Sequence, residues 1–122
     1  MSVEIRRLYP GDDALVKRIA EDVFDEPVRA DRLAAYLASS SGHLMIVALA
    51  SGVVDQCPTI IHRHPDKVNG LYIDEVGVSP AYQRQGIARK MLDAMFALGR
   101  EQRLRRSLCW NRAGQCSIAR AL

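Results

Sequence analysis

The sequence predicts a single α/β domain in which hairpin-connected strands form a sheet covered by helices. Three observations predict it. Strand-length apolar runs, such as residues 44–50, alternate along the chain with segments whose apolar residues recur every three or four positions. Turn-forming residues, Pro10-Gly11, Ser51-Gly52 and Gly86, fall at the joints between these segments. A chain of 122 residues is long enough for one core and too short for two.

Residues 3–8 roughly alternate apolar and charged side chains and read as a first strand, ended by Pro10-Gly11. Asp12 or Asp13 then caps a predicted helix with apolar positions at Leu15, Ile19, Val23 and Phe24. Asp25-Glu26-Pro27 interrupts it. Residues 28–37 form a second predicted helix with Leu33, Ala34 and Leu37 on one face. Residues 43–50 read as a buried strand, Ser51-Gly52 as a two-residue hairpin, and residues 53–62 as the returning strand. Pro58 has no N–H for a ladder, so it predicts a bulge or a sheet edge. Residues 71–78 are the next hairpin partner and residues 79–85 a polar loop. Residues 86–98 form a helix with Ile87, Met91, Leu92, Met95 and Phe96 along one side. The order is strand, two helices, three strands, one helix and a tail, with no internal repeat and no dividing linker.

Apolar residues at 48% and charged residues at 25% are ordinary globular usage, which argues against a disordered or fibrous chain. No apolar run approaches the roughly 20 residues that span a bilayer, and no apolar stretch follows the charged start, so no secretory signal is expected. Cys57, Cys109 and Cys116 are widely spaced and suit reduced thiols in a cytoplasm, with Cys57 as a small core residue. His62-x-His64 places two imidazoles on one strand face, but no third ligand stands at close spacing, so no metal site is expected. The net charge of +3 is uneven: residues 100–122 hold six Arg and one Glu, and the rest of the chain is slightly acidic. A basic tail raises a nucleic-acid partner, but the chain has no aromatic stacking platform and no recognition-helix pattern.

The segment that carries chemistry runs from Val76 to Arg89: a strand ends, a polar loop comes next and a helix begins at Gly86. The first amides of a helix have no internal partner and carry partial positive charge. Gly86 and Ala88 let a bulky anion approach the backbone, and Arg84 and Arg89 add full charge. Such an arrangement is a cradle for a pyrophosphate.

Gln83-Arg84-Gln85-Gly86-Ile87-Ala88, preceded by Val76-Gly77-Val78-Ser79-Pro80 and followed by Met91-Leu92, resembles the central motif of the GNAT family of acetyl-CoA-dependent N-acetyltransferases. The resemblance covers residues 3–99, and residues 71–92 are most similar in wording to the branch that holds aminoglycoside acetyltransferases. It implies a mixed, mainly antiparallel sheet flanked by helices. It also implies acetyl-CoA as co-substrate and a primary amine of a small molecule as acceptor, attacking directly with no acyl-enzyme. Val76, Gly77 and Val78 would then pair with the pantetheine arm as a further strand, and a strand amide near Val76 would polarise the acetyl carbonyl. The backbone from Arg84 through Gln85, Gly86, Ile87 and Ala88 to Arg89 would hold the pyrophosphate.

The amine must be neutral to attack, so a general base is useful. Asp74 and Glu75 are the candidates, and as neighbours on a strand they face opposite sides. Tyr72 stands where the family often carries a carboxylate. Asp74 shares its face, and Glu75 matches an acidic position of aminoglycoside-modifying relatives, so both stay open. Asp22, Asp25 and Glu26 fall where the family builds its acceptor wall, and an acidic rim would suit an amine.

The tail departs from the family. After the helix the family needs another strand, a helix and usually two more strands, often with a Tyr as general acid to the departing thiolate. Residues 103–122 have no Tyr and little strand alternation. Residues 1–100 therefore read as the N-terminal and central part of such a domain and residues 101–122 as an atypical basic tail, with the C-terminal third missing or frame-shifted. Codons allowed by residues 103–117, read one nucleotide on, can spell the strand and loop that the family has at this point. Loss of that strand would expose the edge of residues 71–78 and the apolar side of the last helix, to be covered by the tail or by a homodimer. The competing readings are an active acetyltransferase, an inactive remnant that binds CoA and self-associates, and a basic nucleic-acid-binding protein.

Overall fold

A computed structural model describes all residues except 1, 2, 17, 21, 22, 25, 40, 41, 74, 75 and 108–122. It contains β1 (Glu4–Arg7), α1 (Ala30–Ala38), β2 (His43–Leu49), β3 (Val53–His62), β4 (Gly70–Ile73), β5 (Gly77–Val78), α2 (Ile87–Glu101) and β6 (Arg105–Ser107). The strands run in the order β1-β2-β3-β4-β6, and β5 also pairs with β3. Every pairing is antiparallel except that of β6 with β4. The sheet is thus mixed and mainly antiparallel, as predicted. Among the described residues no helix is long and apolar enough to cross a membrane.

The unbroken apolar run of β2 follows from burial on both faces. Leu44, Ile46 and Ala48 join the core under α2 with Leu71, Ile73, Ile87, Met91, Leu92 and Met95. Met45 and Val47 join a second core with Leu33 and Leu37 of α1. Cys57 is fully buried on the α2 side, as expected of a small core residue. Gly99 lets α2 lie close on the sheet: a Cβ there would come within 2.8 Å of Leu71 Cδ2. Tyr36 pins α1 to the other face. Its hydroxyl lies 2.8 Å from the Thr59 carbonyl and 3.1 Å from that of Leu44, and it accepts the Thr59 N–H at 3.1 Å.

Several expectations are corrected. The helix predicted from Asp12 to Phe24 is not formed. A 3-10 turn spans Asp12–Leu15, and Ile19 then bridges Val53 in parallel. The Val53 N–H donates to the Arg18 carbonyl at 2.6 Å and the Ala20 N–H to the Val53 carbonyl at 2.8 Å. Sheet pairing takes the amides that a helix would use, and Leu15 and Ile19 are left exposed. Ala34 is exposed because the buried seam of α1 is Leu33 and Leu37. Pro58 marks no edge, since β3 pairs on both sides, but the expected bulge is present on its β4–β5 side; a further irregularity between β2 and β3 lies at Ala48 and Leu49. The strand predicted over residues 71–78 is two short strands. The register of β3 passes from Thr59 opposite Ile73 to Gln56 opposite Gly77, a change of one residue, and Pro58 faces this break. The exposed edge predicted for β4 is covered, because Arg105–Ser107 pairs with Gly70–Tyr72. Residues 108–122 of the basic tail lie outside the described residues.

Candidate functional site

The loop after β5 builds an anion site from backbone. Gly86, the residue before α2, has φ +77°, and Arg84 has φ +65°. Left-handed residues placed this way gather successive amides into a concavity that takes an anion. The first hydrogen bond of the helix runs from the Lys90 N–H to the Gly86 carbonyl at 3.1 Å. The amides of Gly86, Ile87, Ala88 and Arg89 therefore have no partner among the described residues. The position where a Cβ of Gly86 would stand is open, with nothing within 4 Å.

Side chains divide the labour. Ile87 and Ala88 point into the core, so only their amides face outward. Arg84, Arg89 and Lys90 are exposed and, among the described residues, have no ion pair. Gln85 is exposed, and its amide donates to the Ala81 carbonyl at 3.4 Å, which braces the loop. Lys90 was missed in the sequence, although its place in the first helical turn was a readable signal.

β5 lies beside this loop. Gly77 pairs with Gln56 and Val78 with Asp55, while Val76 is half-buried just before them. Among the described residues the other edge of β5 has no strand partner. Gly77 is required by close packing as well. A Cβ there would fall inside the Val23 carbonyl oxygen and 2.9 Å from Gln56 Nε2. The same Nε2 donates to the Val23 carbonyl at 3.3 Å. The segment ending at Glu26 is thereby held over β5.

On the α1 face, next to Gln56 and Pro58, opens a cleft of about 480 Å³. Phe24, Leu33 and Met45 give it an apolar side, and Glu26, Arg29 and Arg32 line its mouth. Glu26 is the described part of the acidic rim expected at Asp22, Asp25 and Glu26; Asp22 and Asp25 lie outside the described residues. The two arginines were not anticipated. Tyr72 is half-buried opposite Ile60, on the face away from Leu71 and Ile73. Asp74 and Glu75 lie outside the described residues.

A second acid went unnoticed in the sequence. Asp55 is fully buried in β3, and among the described residues neither carboxylate oxygen makes a well-formed hydrogen bond. Burial pushes its carboxyl from 3.8 up to about 8, against a weaker pull from the Gln56 backbone. Its place in an apolar strand was the available signal. Among the described residues no group of three or more His, Cys, Asp or Glu side chains is placed to hold a metal.

Fold and site together define an α/β domain with outward-facing amides at a helix start, a strand edge beside it that is open among the described residues, and a cleft on the α1 face. The family follows from comparison with known proteins: the acetyltransferase (GNAT) family model matches residues 4–116. The chain belongs to this family of acetyl-CoA-dependent N-acetyltransferases, whose co-substrate is acetyl-CoA, and the match runs past the boundary drawn at residue 100. No curated protein matches it. Among solved structures, an aminoglycoside acetyltransferase from an uncultured soil metagenomic sample is 20% identical, with 99% of this chain and 88% of that one covered at a TM-score of 0.75. Another from such a sample, in complex with trehalose, is 20% identical over 91% of this chain and 79% of its own, with a TM-score of 0.73. A predicted acetyltransferase with acetyl-CoA from Clostridium acetobutylicum is 16% identical over 93% and 84%, with a TM-score of 0.67.

Proposed function

We propose that this chain moves the acetyl group of acetyl-CoA to a primary amine of a small molecule by direct attack, with no acyl-enzyme. The observation that carries the reading is the run of unpartnered amides from Gly86 to Arg89, flanked by the unpaired cations Arg84, Arg89 and Lys90 among the described residues. A pyrophosphate needs such a set: fixed backbone donors for its oxygens and mobile charge for the remainder. The open edge of β5 supplies amide and carbonyl groups for an extended amide-bearing arm, which pairs as an added strand does.

In the reaction the amine nitrogen bonds to the acetyl carbon, the carbon–sulfur bond breaks, and the amine's proton passes to a base. We assign that base to Asp74 or Glu75, between Ile73 and Val76, with Tyr72 on the strand that leads to them. A backbone amide near Val76 polarises the carbonyl. The acceptor enters through the cleft beside Gln56 and Pro58, and the amine panel spans aminoglycosides, named for two of the similar structures, and amines of other charge. The wide spacing of Cys57, Cys109 and Cys116 and the burial of Cys57 in the core fit a reducing, cytoplasmic setting. Of the edge on which a homodimer was argued from sequence, residues 71–78, the part at Leu71 and Tyr72 is paired with β6, and the part in β5 has no strand partner on that side among the described residues.

Titration calorimetry with acetyl-CoA tests the cradle, with Arg84→Glu as control, and thiol-release assays over a panel of amines then test transfer. The reading requires binding that the control loses and amine-dependent release of CoA. Binding without transfer to any amine would favour an inactive remnant. No binding by a folded protein would refute the proposal.

A further inference from the structure

The cleft beside Gln56 and Pro58 is lined by side chains of opposite charge. The segment after Val23, whose carbonyl packs on Gly77 and accepts from Gln56, brings Glu26, three residues on, to this lining. Arg29 and Arg32, at the start of α1, line the same cleft. Arg29 is engaged: it holds Asp31 through two bonds of 3.2 and 2.9 Å. The Arg32 and Glu26 side chains have no ion pair or hydrogen bond among the described residues. Phe24, Leu33 and Met45 supply apolar lining.

We infer that the acceptor is an amine that also carries an anionic group, a carboxylate or a phosphate, rather than a polycation. The inference rests on the acetyl-transfer reading and names its substrate class. The amine end belongs beside Glu26, because the segment that brings it to the cleft packs on Gly77 of β5. The anionic end belongs at Arg32, whose planar guanidinium matches a carboxylate or a phosphate with paired donors. The apolar lining takes a hydrocarbon or aromatic spacer. A polycation would place a second positive charge against Arg32, and like charges at close range are strongly disfavoured. The rim is thus not the uniformly acidic surface expected from Asp22, Asp25 and Glu26 alone.

Three matched probes test this: para-aminomethylbenzoate, para-aminomethylphenyl phosphate and para-xylylenediamine. They share the amine and the spacer and differ only at the far end. Binding is followed by NMR titration of the full chain, with and without CoA, and compared with acetyl transfer to each probe. An anion-bearing probe should bind about tenfold more tightly than the diamine, the scale of one charge-assisted contact. Arg32→Gln should abolish that preference and leave acetyl-CoA binding unchanged, and Glu26→Gln should weaken all three probes alike. Which anionic probe leads tells carboxylate from phosphate. A diamine that binds as well as the others, a preference that survives Arg32→Gln, or no binding by any probe would overturn the inference. Arg32-dependent binding in a chain that does not bind acetyl-CoA would remove the acetyl-transfer reading and leave the cleft's preference standing. Ready transfer to the diamine, with no preference for the anions, would do the reverse.

Discussion

Replacing Asp55 by Asn should change how the stability of this protein depends on pH. Asp55 is fully buried, neither carboxylate oxygen makes a well-formed hydrogen bond among the described residues, and burial pushes its carboxyl from 3.8 up to about 8. Between these values the native state holds a proton that the unfolded chain has released. Stability therefore falls as pH rises through this window: the contribution is complete below 3.8, declines up to about 8 and is lost above it. Each pH unit in the window is worth about 1.4 kcal/mol. At neutral pH, roughly three units above the lower limit, the burial of Asp55 costs about 4 kcal/mol, a large part of the roughly 5–15 kcal/mol that holds a domain together. Asn is close in shape and does not titrate. Urea unfolding of both proteins at several values between pH 5 and pH 8 isolates the effect, since every other group is shared. The stability difference should move in favour of the Asp55→Asn variant by about 3 kcal/mol from pH 5 to pH 7 and level off near pH 8. The unpaired amide that the variant buries shifts the whole difference and not its slope. A difference independent of pH would show that Asp55 is solvated or paired in solution, and the reasoning would fail.

Gly77→Ala puts a methyl group into the Val23 carbonyl and should cost about 3 kcal/mol or more, read as a lower urea midpoint. Tyr36→Phe removes the hydroxyl that serves Thr59 and Leu44 and should cost about 1–3 kcal/mol by the same assay, since the Thr59 N–H loses this acceptor. Gly86→Ala meets no atom within 4 Å, but its φ of +77° penalises any Cβ. It should cost only about 1–2 kcal/mol while weakening acetyl-CoA in calorimetry, because the methyl stands where the anion approaches.

Legibility in the sequence followed the kind of force involved. β2, β3 and α2 were readable because burial sets their pattern: both faces of β2 are covered, and Ile87, Met91, Leu92 and Met95 mark one side of a helix. The loop and helix start at Gly86 were readable because a glycine at a helix start is a local device. Residues 12–24 were misread because their spacing of apolar residues fits a helix, while the competing partner, the Val53 backbone, is far away in sequence. β6 was missed for a related reason. Arg105 to Ser107 has no strand-like side-chain pattern, and its pairing depends on the open edge of β4. Arg32 and Glu26 read as ordinary surface charges until the fold set them around one cleft.

The break between β4 and β5 gives these parts a common origin. An unbroken strand would have paired with β3 along its length, and its far edge could have paired with β6 along its length too. Instead the register changes by one residue opposite Pro58, which has no N–H to leave unsatisfied. Such a change bends a strand and re-aims the residues beyond it. β6 stays with Gly70–Tyr72, and β5 keeps β3 on one side and an open edge on the other among the described residues. The face of β5 is equally constrained, since Gly77 admits the Val23 backbone and with it the segment that carries Glu26. A two-residue strand is thus followed by the loop that leads to Gly86 and carries the Val23 segment against its face. Asp74 and Glu75, proposed as the base, fall in the sequence between β4 and β5.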